Sequence, residues 1–141
     1  MFAVIMLRGL VNMNVNIKKT LKMLRLNRVN HCVIVPEKNN YKGMLKRAEN
    51  YITYGEINKE ILEQLVKKRG RLIGDKRLDD KEAKEIVASI LKNNSLKNLK
   101  IKPVFRLSPP SKGLKSKKQM FPRGDLGYRG DKINDLLKRM I

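Results

Sequence analysis

Three short β-branched runs, separated by two stretches of helical periodicity, confine residues 1–57 to one kind of fold. Residues 2–7, FAVIML, are too few for a buried helix and suit an interior strand, which Gly9 closes. From Asn16 the pattern changes: Ile17, Leu21 and Leu24 recur at helical spacing, with Lys18, Lys19, Lys22 and Arg25 on the remaining surface. Asn14 or Asn16 can cap the start of this helix. His31–Val35 is a second β-branched run, stopped by Pro36. Tyr41–Tyr51 is helical again, with Met44, Leu45, Ala48 and Tyr51 on one face, and Ile52–Ile57 reads as a third strand. Such β-α-β-α-β alternation implies an open three-stranded sheet with both helices packed against it, joined by right-handed crossovers where strands run parallel.

The remainder of the chain reads differently. Asn58–Arg69 is a helix capped by Asn58, with Ile61, Leu62, Leu65 and Val66 inward. KKRGRLIG, Lys67–Gly74, is a basic turn with two glycines, and Gly70 is where backbone would approach a phosphate closely. Asp79 begins another helix with Ala83, Ile86, Val87, Ile90 and Leu91 as its apolar stripe. Ile101–Leu107 suits a short strand that Pro103 confines to an edge. Pro109–Gly127 is rich in Pro, Gly, Ser and Lys without apolar periodicity, and taken alone would be disordered. A last helix, Asp131–Met140, buries Ile133, Leu136, Leu137 and Met140. The expected class is α+β in three parts: a core at 1–57, a helical extension at 58–100, and at 101–141 a basic extended arm ending in a helix.

Charge narrows the function. The chain has 33 Lys+Arg against 13 Asp+Glu, a formal net charge of +20. A domain of this size repels itself at that charge unless nucleic acid, an anionic membrane or an acidic protein neutralises it. Residues 1–57 hold 10 basic and 3 acidic side chains, 58–99 hold 11 and 7, and 100–141 hold 12 and 3, so the two ends look like the contact surfaces. No apolar stretch approaches the ~20 residues that span a bilayer, and the apolar N-terminal run has no signal-peptide flanks. The lone Cys32 makes no internal disulfide. A soluble, cytoplasmic protein is expected. Few aromatics and no Trp argue against single-strand binding by base stacking.

Catalysis finds little support. His31 is the only histidine, and Cys32, its neighbour in a strand, points to the opposite face, so the two form no dyad. Asp79 and Asp80 precede a helix and read as cap and dipole residues, not as acid–base partners. The glycines of GDLGYRG, Gly124, Gly127 and Gly130, read as turn residues, and neither a phosphate-binding loop nor a dinucleotide fingerprint is present. No cofactor or metal is expected. Three basic clusters stand out instead: Lys18, Lys19, Lys22, Arg25 and Arg28; Lys67, Lys68, Arg69 and Arg71; and Lys112, Lys115, Lys117, Lys118 and Arg123. Helix-turn-helix or zinc-finger spacing, which would suit DNA, is not visible. Folded RNA, read through phosphates and grooves, is the better match.

The segments TLKMLRLNRVNHCVIV (Thr20–Val35) and MLKRAENYI (Met44–Ile52) resemble the signature region of the ribosomal large-subunit protein thirty family. YKGML at Tyr41–Leu45, ITYGEI at Ile52–Ile57, KKRGRL at Lys67–Leu72, KPVFRLSPPSKG at Lys102–Gly113 and LGYRGDKINDLLKRM at Leu126–Met140 are similar to its archaeal members. Bacterial members end after the third strand, and eukaryotic ones carry a long basic N-terminal extension, so the archaeal form matches best. Between Leu78 and Asn98 only helical periodicity is present. The resemblance implies a ferredoxin-like β-α-β-α-β core and a role without turnover. That role is as a structural constituent of the large ribosomal subunit, binding 23S-type rRNA near the 5S rRNA beside neighbouring ribosomal proteins. From charge and motif position the expected RNA contacts are Arg25, Arg28, His31, Tyr41, Lys42, Arg69, Arg71, Lys115, Lys117, Lys118, Arg123 and Arg129. A free regulatory RNA-binding protein is the alternative.

Overall fold

A computed structural model describes residues 1–93 and 101–141, so the end of the expected 58–100 extension lies outside the described residues. β1 (Phe2–Met6), α1 (Val15–Met23), β2 (His31–Val35), α2 (Asn39–Ala48) and β3 (Ile52–Glu56) follow one another as the alternation requires. β1 lies between β2 and β3 and runs antiparallel to both, pairing Val4 with Val33 on one side and with Tyr54 on the other. β2 and β3 are therefore parallel to each other with β1 between them, and no neighbouring pair of the expected core is parallel. The sheet has five strands: the expected three, an edge strand within the expected Ile101–Leu107, and one that was not expected. β4 (Val104–Arg106) adds antiparallel to β2, β5 (Gly127–Tyr128) adds parallel to β3, and the order is β4-β2-β1-β3-β5.

Side-chain alternation explains why β1 is apolar at every position: it is buried on both faces. Phe2, Val4, Met6, Val33 and Val35 point into a layer shared with Leu21, Leu24 and Leu26 of α1 and its exit and Leu45 and Ala48 of α2. Ala3, Ile5, Leu7, Cys32 and Ile34 point the other way, into a larger cluster built from the second half of the chain. There α3 (Lys59–Arg69) contributes Ile61, Leu62, Leu65 and Val66. α4 (Asp80–Asn93) contributes Ala83, Val87 and Ile90, and α5 (Ile133–Met140) contributes Ile133, Leu136, Leu137 and Met140. Leu91, expected inward, is 38% exposed. One core thus draws on residues from all three segments of the sequence.

Local chemistry fixes the helix ends. The Asn14 side chain accepts the Asn16 N–H at 2.9 Å, as an N-cap should. Glu82 reaches back to accept the Asp79 N–H at 3.2 Å, half of a capping box. Asn58 sits at the cap position of α3, but its side chain makes no capping bond. Its N–H donates to the Asn134 Oδ1 of the last helix at 2.9 Å.

Gly70 departs from its expected use. It is buried, and a Cβ there would lie 2.3 Å from the Val66 carbonyl oxygen and 2.4 Å from Leu78 Cδ1. The glycine lets the chain pass between α3 and Leu78, and its backbone is closed to a phosphate.

The Pro109–Gly127 segment, expected to lack structure when taken alone, is tied to the body by polar bonds. The buried Asp125 carboxylate accepts the N–H groups of Lys115 and Ser116, and Leu126 beside it is buried. Arg139 of α5 donates to the carbonyls of Ser111 (2.8 Å) and Gly113.

Candidate RNA-binding surface

Basic side chains gather in three places, and the sheet determines which. The first is the β4 edge. β4 pairs with β2 so that His31 faces Arg106 and Val33 faces Val104. The outer side of this edge receives Arg69 from the end of α3, Arg71 just beyond Gly70, and Lys102 ahead of β4. With Val104, Arg106 and Asp75 these line a small cleft of about 140 Å³. Asp75 stands in the left-handed region (φ 62°) within a turn closed by Leu72 N–H to the Lys76 carbonyl and Asp75 N–H to the Leu72 carbonyl, both 3.0 Å. Its carboxylate meets Lys102 Nζ at 2.7 Å. That hydrogen bond and the Lys102 charge, with smaller contributions from Arg106 and Arg71, hold Asp75 below the usual carboxylate range.

Arg69 is partly committed elsewhere: Nε and Nη2 donate to the Ile141 main-chain oxygen at 3.2 and 3.0 Å, and Nη2 also to Ser108 Oγ. Neither Arg71 nor Arg106 has a side-chain ion pair among the described residues. His31 is half-buried, and its Nδ1 has no hydrogen-bond partner among the described residues. Burial, then the charges of Arg106 and Arg28, hold the imidazole below its ordinary pKa. It therefore offers this edge a neutral hydrogen-bonding ring and no further charge.

The second place is the helical layer of α1 and α2, on the sheet face that Val104 also joins. Arg25 leaves α1 at φ 61°, and Arg25 and Arg28 are exposed. Lys42 on α2 is exposed, but it meets Glu37 at 3.0 Å and lies 5.8 Å over the Phe2 ring. Tyr41 is half-buried and packs against the α1–α2 cluster. The third is the arm, where Lys115, Lys117, Lys118 and Arg123 are all exposed.

Arg129 does not join them. It is 9% exposed; its Nη2 donates to Asp125 Oδ1 at 2.8 Å and to the Asp125 carbonyl at 3.0 Å, and its Nε to Thr53 Oγ1 at 3.1 Å. The guanidinium also lies 5.1 Å over the Phe121 ring. It is a fastener between β3 and the arm, with Nε and Nη2 both engaged inside the chain. Conversely, sequence reasoning missed Lys102 and Arg106. The signal was there: Phe105 between Val104 and Arg106 is the alternation of a half-buried strand, which turns Arg106 outward.

Residues 2–52 match the family model described as Ribosomal protein L30p/L7e. The chain is 48% identical to the large ribosomal subunit protein uL30 of Methanococcus vannielii, with 99% of each chain covered. The chain belongs to this family. The uL30 proteins of Archaeoglobus fulgidus (47% identical, 99% of each covered) and Methanosphaera stadtmanae (43%, 100% of each) are similar over the same length. The family model ends where β3 begins, whereas the archaeal uL30 relatives align through the helices and edge strands of the second half as well. Membership makes the chain a ribosomal protein and not an enzyme, and the ferredoxin-like core expected from the sequence is the fold of the family.

Proposed function

We propose that the chain is a structural constituent of the large ribosomal subunit that binds and stabilises 23S-type rRNA near the 5S rRNA, beside neighbouring ribosomal proteins, in the cytoplasm. One observation carries the reading. Cations stand exposed on the β4 edge, the α1 exit and the arm, while the most buried carboxylate, Asp125, is spent on an internal arginine. The outward field is therefore strongly positive, and a rigid two-layer core holds its sources in fixed register. Each Lys or Arg that meets a phosphate releases condensed counterions, and arginines add forked hydrogen bonds where lysines act as point charges. Of the expected contacts, the structure supports Arg25, Arg28, Lys115, Lys117, Lys118 and Arg123 as exposed donors, and Arg71 as a half-buried one that lines the β4-edge cleft. Arg69 and Lys42 are partly engaged within the chain, and His31 and Tyr41 are half-buried.

The test is sucrose-gradient fractionation of source cells, followed by binding of the purified chain to deproteinised large-subunit RNA across a salt series. Near-stoichiometric recovery with large subunits and an affinity that falls steeply with salt are expected. Recovery in the light fractions, or affinity indifferent to salt, would overturn the proposal.

A further inference from the structure

We infer that the β4-edge cleft is a seat for one backbone phosphate of a folded RNA, and that Asp75 occupies that seat when RNA is absent. The inference rests on RNA being the partner and names a site and an internal competitor for it.

Four cations line the cleft: Arg69, Arg71, Lys102 and Arg106. Gathered around one small space they repel one another, and among the described residues the only anion lining that space is Asp75. The turn closed by Leu72 and Lys76 holds Asp75 in place from its backbone, so its carboxylate reaches Lys102 at 2.7 Å and feels the Arg71 and Arg106 charges. The Asp75–Lys102 pair is largely exposed, and exposed ion pairs add little to stability. Its worth lies in neutralising the cluster, and a stronger anion can exchange for it. A phosphodiester supplies such an anion, with two free oxygens for the guanidinium forks of Arg71 and Arg106. The size agrees: a cavity of about 150 Å³ holds a benzene ring, so about 140 Å³ admits a phosphate group and excludes a nucleoside.

The competitor makes a prediction that a plain basic patch does not. Removing an acid from a +20 protein far from the site changes RNA affinity only slightly. Removing Asp75 vacates the seat. The experiment titrates the full chain and its Asp75→Asn, Arg71→Ala and Arg106→Ala variants with deproteinised large-subunit RNA from Methanococcus vannielii, with Asp135→Asn, an exposed acid of α5, as the remote control. In parallel, inorganic phosphate is titrated while the arginine Nε–H signals are followed by NMR.

Asp75→Asn is expected to tighten RNA binding roughly fivefold and Asp135→Asn to leave it within about twofold, while each arginine variant weakens it roughly tenfold. Phosphate should shift the Arg71 and Arg106 signals at lower concentration in Asp75→Asn than in the parent. Equal effects of Asp75→Asn and Asp135→Asn, with the arginine signals unmoved by phosphate, would overturn the inference while leaving ribosomal RNA binding intact. Absence of RNA binding by the parent chain would sink the functional reading instead, and the phosphate titration would still decide whether the seat exists. Tight binding of polyglutamate at this edge, with no binding of RNA there, would assign the cleft to an acidic protein and also overturn it.

Discussion

The two edges of the sheet use the same chemistry in opposite ways. At the β5 edge, Arg129 turns inward, meets Asp125 at 2.8 Å and is sealed beneath the arm. At the β4 edge, Arg106 turns outward, and the carboxylate it senses, Asp75, is exposed and shared among several cations. A buried charge without its partner is costly, so the first pair is fixed in place by the fold. An exposed one is cheap to rearrange. The contrast separates arginines that hold the molecule together from arginines that it presents to something else, a distinction that composition alone conceals.

Substitution at the β5 edge gives the largest expected effect. Arg129→Ala leaves Asp125 buried and unpaired and should cost about 3–5 kcal/mol in urea unfolding. A loss no greater than that of a surface change would erase the difference between the edges. Next comes Gly55→Ala. A Cβ on Gly55 would lie 2.1 Å from the Gly130 carbonyl oxygen, where β3 passes the turn ahead of the last helix. Overpacking of about 1–3 kcal/mol should follow, visible as a lowered Tm. Arg106→Ala, by contrast, should stay within about 0.5 kcal/mol of the parent, and a larger loss would show that the β4 edge is also structural.

pH sharpens the same comparison. His31 has its pKa lowered by burial and by Arg106 and Arg28, so its unfolded form binds the proton more readily. Its stabilising contribution is therefore complete above the unfolded value of about 6.5 and is lost as pH falls toward the lower folded value. Unfolding measured between pH 8 and 5 should show this decline, and His31→Gln should flatten it. The smallest effect concerns Cys32, whose thiol burial pushes up to about 12. It should react with a thiol reagent only as fast as the chain unfolds, and rapid labelling of folded protein would show that this end of β2 opens.

Much of this was legible in the sequence, because strands and helices with strong periodicity announce themselves. His31–Val35 was read to the residue, and the four inward positions of Asp131–Met140 follow from spacing alone. What was hidden depends on partners distant in sequence. Nothing local tells Arg129 that Thr53, 76 residues away, will receive its Nε–H, or that Asp125 will take its charge. Nothing in the turn-like composition of GDLGYRG shows that Gly127 and Tyr128 complete a strand beside Thr53 and Tyr54. Gly70 misled for a related reason: glycine signals a close approach, and only the fold says that the approaching group is Leu78 and not a ligand. The expected contacts that proved exposed lie where charge has no apolar neighbours to turn it inward, as on the arm.

Both outer strands, β4 and β5, come from residues 104–128, whereas the three they flank are complete by residue 56. During synthesis the first three strands therefore emerge with both flanks unpaired. At about 5–20 residues per second the wait for β5 lasts roughly 4–14 seconds. Unpaired strand edges are templates for association with other chains. The net positive charge of residues 1–57, which keeps like molecules apart, opposes such association while the sheet is unfinished.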